Sequence, residues 1–92
     1  MESFKLDPSS QEIFERISKF FYEITLRKAK KDSSLSKDLL LDFYTLEDSA
    51  RFFENKYIIF ISTLEMEKCE TVRDAIFLIK KRIRMKFKLL LN

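Results

Sequence analysis

Residues 71–91 read TVRDAIFLIKKRIRMKFKLLL. Val72, Ala75, Ile76, Ile79, Ile83, Phe87 and Leu90 recur with the period of one helical face, which predicts a long helix. Thr71 followed by Asp74 supplies a capping signal at its start. Upstream, Thr45 with Asp48 repeats that signal, and a second helix is expected from there to near Lys68. Leu46, Ala50, Phe53, Tyr57, Phe60 or Ile61, and Leu64 would share its face, widened by Phe52 and Ile59. Nearer the N-terminus, Asp7–Pro8–Ser9–Ser10 starts a first helix. Ile13, Ile17, Phe20, Phe21 and Ile24 form its face. Arg27, Lys28, Lys30 and Lys31 are expected to close it, since cations suit a helix C-terminus.

Three long helices with short connections predict an all-α fold, an antiparallel bundle with an apolar connector between helices 1 and 2. The 92 residues form one helical domain, 1–92, or the helical part of a longer chain cut after residue 92. Apolar residues make up 46% of the chain and ten are Phe, enough for a packed core. The absence of Gly argues against tight β-hairpins and removes every Gly-rich phosphate loop.

The connector, residues 37–48, reads KDLLLDFYTLED. It is far too short to span a bilayer and lacks the alternation of a half-buried strand. Burial of most of its apolar side chains is therefore expected, with Phe43 plugging the bundle end and Tyr44 keeping its hydroxyl toward water. On that reading Phe43→Ala costs about 3–5 kcal/mol.

The residues exclude much chemistry. There is no His, and the single Cys69 can form neither an internal disulfide nor a common zinc site. Glu65, Glu67 and Glu70 read as a solvated helix end rather than a magnesium site. Asp42 reads as a capping or turn residue, and Cys69 as a partly buried small residue without a base beside it. No catalytic residue, cofactor site or metal site is marked, and an enzyme is not expected. No apolar signal segment or membrane span is visible, so the chain reads as soluble and cytoplasmic.

Charge is unevenly placed. Residues 38–70 carry eight acidic and three basic residues, net −5, and residues 71–92 carry seven basic and one acidic, net +6. Lys80, Lys81, Arg84 and Lys88 are candidates for nucleic-acid contact. The structural readings, a solvated face, cations complementing a helix C-terminus or pairing with the acidic middle of the chain, are preferred, since no aromatic or Asn/Gln base-reading pattern accompanies the charges. A second feature is an apolar surplus. Phe14, Leu26, Phe52, Ile58, Phe77, Leu78 and Met85 fall off the main stripes, and the C-terminal run stays apolar to its end. Such a surplus points to a partner surface, for which Leu40, Phe43, Tyr44, Phe77, Phe87, Leu90 and Leu91 are the candidates.

The order of features resembles the helical domain of an archaeal GINS subunit, of the type in which that domain precedes a small β domain. Matching features are the first amphipathic helix (Glu12–Lys31), a Ser-containing turn and a Leu-rich step with Asp42–Phe43–Tyr44. A long helix, an acidic break near Glu65–Glu70 and the helix Thr71–Lys86 follow in the same order. The resemblance implies a scaffold of sister subunits that links the MCM replicative helicase to a RecJ-like partner at the replication fork, nucleoid-associated rather than free. It also implies that Arg82 and Lys86 are structural or interfacial cations. Two other readings stay open: a small basic protein that binds nucleic acid through helix 3, and an accessory factor that docks on a polymerase or helicase through residues 39–44.

Overall fold

The computed structural model describes residues 8–91, and only the backbone of Leu91. The expectations for Met1–Asp7, Asn92 and the Leu91 side chain lie outside the described residues. Within them the fold is all-helical, with four helices: α1 (Ser10–Thr25), α2 (Phe43–Tyr57), α3 (Thr63–Glu67) and α4 (Val72–Leu91).

The first helix begins as its sequence dictates. The Ser9 hydroxyl accepts the Glu12 N–H at 3.1 Å. It ends at Thr25, before the basic run expected to close it. The Thr25 hydroxyl donates to the Phe21 carbonyl at 2.6 Å and accepts the Arg27 N–H at 3.0 Å, which turns the chain out of the helix.

Helix α2 is capped by Asp42, not Thr45. The Asp42 carboxylate accepts both the Thr45 N–H and its hydroxyl at 2.9 Å, so Thr45 already sits in the first turn. The helix expected to reach Lys68 stops at Tyr57. Two side chains of α2 hold the break open. Glu54 accepts the Ile61 N–H at 2.9 Å, and Arg51 donates to the Ile61 carbonyl at 2.7 Å. Both backbone groups of this fully buried residue are thereby satisfied without a continuous helix. A reciprocal capping box between Ser62 and Glu65 then starts α3. The break resets the register. Ile61 is buried, whereas Phe60 and Leu64, expected on the apolar face, are exposed.

Thr71 and Asp74 cap α4 as the sequence indicates. The Asp74 N–H donates to the Thr71 hydroxyl at 3.3 Å and the Asp74 carboxylate accepts the Thr71 N–H at 3.1 Å. Residues 26–42 are pinned to this start by an isolated bridge between Ser34 and Thr71. Leu35 N–H bonds Glu70 O at 2.9 Å, Val72 N–H bonds Ser33 O at 3.0 Å, and Arg73 N–H bonds Lys31 O at 2.9 Å.

The core joins Ile13, Ile17 and Phe21 of α1 to Ala50 and Phe53 of α2 and to Val72, Ala75, Ile76, Ile79 and Ile83 of α4. Met66 and Ile61 close one side, and Leu35, Leu39 and Leu41 of the connection close another. Phe20 stacks on Phe52 with ring centroids 4.3 Å apart. The three-leucine run is thus split. Leu39 and Leu41 point inward, and Leu40, at φ 55°, is turned outward. Phe43 does not plug the bundle end: it is 50% exposed, in edge contact with exposed Tyr44 at 5.8 Å.

With no Gly in the chain, each left-handed backbone position among the described residues is filled by a bulky residue: Leu26 (φ 60°), Leu40 (φ 55°) and Ile58 (φ 54°). Each such position costs roughly 1–2 kcal/mol for an L-residue with a Cβ. Leu26 and Ile58 are the C-caps of α1 and α2.

These placements set two expected outcomes in urea unfolding. Phe53→Ala should destabilise by about 3–5 kcal/mol and Phe43→Ala by about 1 kcal/mol, the reverse of a plug at position 43. Leu26→Gly should raise stability by about 1 kcal/mol, since Leu26 is exposed and glycine removes its clash.

Candidate docking groove

The core-facing side of α4 outruns the core. Ile83 is 2% exposed, whereas Leu90, two turns on along the same face, is 73% exposed. Opposite this overhang lies the link that follows α2, carrying exposed Ile58 and Phe60, the latter 84% exposed. Together with Ile59, Met85 and Leu89 they line an open groove of about 800 Å³.

Charged residues fix its walls. Lys86 donates to the Tyr57 carbonyl at 2.7 Å, capping the end of α2 from α4, and its ammonium stands 5.2 Å from the Phe87 ring centroid. Arg82 forms an ion pair with Glu65 of α3 while its other terminal nitrogen meets the Met85 sulfur at 3.7 Å. The Arg82 Nε and the Tyr57 hydroxyl are buried without a hydrogen-bond partner. Burial pushes the Tyr57 phenol above its ordinary value. Arg82 and Lys86 are therefore structural cations in this fold.

The other sequence candidates separate into distinct places. Leu40, Phe43 and Tyr44 form an exposed apolar knob at the start of α2, the far end of that helix from the groove. Leu90 lines the groove, Phe87 is half-buried against the core, and Phe77 lies on the opposite side of α4. There it shares a second, shallower surface with Lys80, Lys81, Arg84 and Lys88. Phe60 and Leu89 line the groove without having been singled out as partner candidates, and Leu64 is exposed outside the groove rather than on the core face. The signal that finds the first and last is Ser62 followed by Glu65, a capping box inside an apparently continuous helix.

The acidic break does not gather ligands. Glu65 is turned to Arg82 and Ser62, and no group of three metal-ligating side chains forms among the described residues. Asp42 is held below the ordinary carboxylate value, chiefly by the Thr45 N–H. The cap it provides is therefore complete above that ordinary value and is lost as pH falls through the lowered one. Cys69 donates to the Glu65 carbonyl at 3.5 Å. Burial first, and Asp74 second, push its thiol up to about 11, so at neutral pH it is a protonated, weakly nucleophilic group. Among the described residues no helix is long and apolar enough to cross a membrane.

Removing Glu65 should expose the coupling between these parts. Glu65→Ala is expected to cost about 2 kcal/mol, because Arg82 then stays half-buried without a counter-charge. A double-mutant cycle with Arg82→Met in urea unfolding should recover much of that loss.

No protein-family model matches the chain, and no curated protein is similar to it.

Proposed function

We propose that the chain is a non-enzymatic assembly subunit, built on an antiparallel arrangement of α1, α2 and α4, that joins sister chains through the α4 groove. One observation carries the reading: large apolar side chains from the link after α2 and from the end of α4 converge on one open groove. The occupant we propose is the exposed Leu40–Phe43–Tyr44 knob of a second copy. Charge supports this choice. The knob sits among Asp38, Asp42 and Asp48, and the groove lining carries Arg82 and Lys86 against one carboxylate, Glu54. Knob and groove lie at opposite ends of α2, about 22 Å apart for its 15 residues, so the contact is head-to-tail.

This reading matches the scaffold role that the GINS resemblance implies, with sister subunits held by apolar helix faces. The replication setting, with a helicase or polymerase as further partner, rests on that resemblance.

Light scattering coupled to size exclusion tests the contact. The wild-type mass should rise with concentration, and Phe43→Glu (knob lost) or Phe60→Glu (groove spoiled) should each give a folded monomer by circular dichroism. Mixed together, the two variants retain one intact knob and one intact groove and should form a dimer. A monomeric wild type at high concentration, or a mixture that stays monomeric, would sink the proposal.

A further inference from the structure

We infer that the outer face of α4 binds single-stranded nucleic acid, through cations that grip phosphates and an aromatic ring that stacks on a base. Phe77, Lys81, Arg84 and Lys88 follow one another at intervals of four, three and four residues, which places them within about 60° of one another around the helix. That sector lies opposite the buried stripe of Val72, Ile76, Ile79 and Ile83. These four residues, with Lys80, Met85 and Ser10 of α1, line a surface depression of about 540 Å³ that contains no carboxylate. The stripe is about 16 Å long, the rise of eleven residues.

Two features separate this face from an ordinary solvated one. The first is the sorting of cations. Arg51, Arg73 and Arg82 are committed to Glu54, Asp32 and Glu65. Lys80, Lys81, Arg84 and Lys88 have no ion pair among the described residues, and no acidic residue follows Asp74 in the sequence to offer one. Among the described residues no carboxylate lines their depression. The second is Phe77, 72% exposed at the N-terminal end of that stripe while most of the other described Phe rings pack against the core. An aromatic platform flanked by phosphate-binding cations is the arrangement that holds unpaired bases without reading their sequence.

The same features disfavour the other polyanions. A duplex hides its base faces from Phe77, and α4 carries no Asn or Gln among residues 72–91 to read base edges. An anionic bilayer calls for a broad apolar face beneath the cations, whereas the large apolar side chains lining this depression are Phe77 and Met85. This inference does not depend on the knob-and-groove contact, with which its surface shares Met85.

Fluorescence anisotropy with a labelled oligothymidine, at rising sodium chloride, tests it. For four phosphate contacts the slope of log affinity against log salt should be about −3. Phe77→Ala should weaken binding by about tenfold while leaving the slope intact, the mark of stacking rather than charge. The double variant Arg84→Gln, Lys88→Gln should roughly halve the slope. Phe60→Glu, which spoils the apolar groove, should leave binding unchanged. All altered side chains here are exposed, and circular dichroism is to check the fold of each variant. No binding at low salt overturns the inference. So does binding that Phe77→Ala does not weaken, or tighter binding to an equal-length duplex or to phosphatidylserine vesicles.

Discussion

The structure depends on a length mismatch. Helix α4 has 20 residues, about 30 Å of helix, and α1 has 16, about 24 Å. The buried stripe from Val72 to Ile83 packs against α1 and carries the long connection at its start, and α2 joins the same core through its ring contacts with Phe20 and Phe21 of α1. Beyond Ile83 the same stripe continues through half-buried Phe87 to Leu90, which is exposed among the described residues. The apolar groove is therefore not carved into the fold. It is the part of the core that the fold leaves unfinished, and its walls are fixed where Lys86 and Arg82 reach across to α2 and α3.

A second constraint is the lack of glycine. Helix ends in this chain are closed by side chains instead. Ser9, Asp42 and Ser62 each receive a first-turn N–H, and Arg51 and Glu54 satisfy both sides of Ile61. Where the backbone must turn left-handed, the chain accepts Leu or Ile there and places the side chain outside. Part of the apolar surplus visible in the composition is thus a by-product of turning without glycine.

The period of α1 and α4 was legible because Ile13, Ile17 and Phe21, and Val72, Ile76, Ile79 and Ile83, recur at helical spacing among charged residues, whereas Ile24, expected on the same face of α1, is exposed. The end of α2 was not. Between Tyr57 and Leu64 so many residues are apolar that a helical stripe can be drawn through them by density alone. The deciding facts, a left-handed Ile58 and the Arg51–Glu54 clamp on Ile61, are three-dimensional. The outward turn of Leu40 was hidden for the same reason, since one residue's φ decides which leucine of three leaves the core. The sorting of the basic run was half legible. Helical spacing groups Lys81, Arg84 and Lys88, but only the fold brings Glu65 to Arg82 across seventeen positions of sequence.

Ile58 combines two roles that pull against each other. It is a β-branched residue in a backbone conformation that its own side chain resists, and that side chain is part of the groove wall. A population of variants selected for heat resistance alone would drift toward glycine or asparagine at this position and lose part of the contact surface in doing so. Leu26 carries the same backbone conformation at the end of α1, away from the groove lining, and would change without that cost. Comparing how the two positions drift under such selection would separate strain kept for recognition from strain that is merely tolerated.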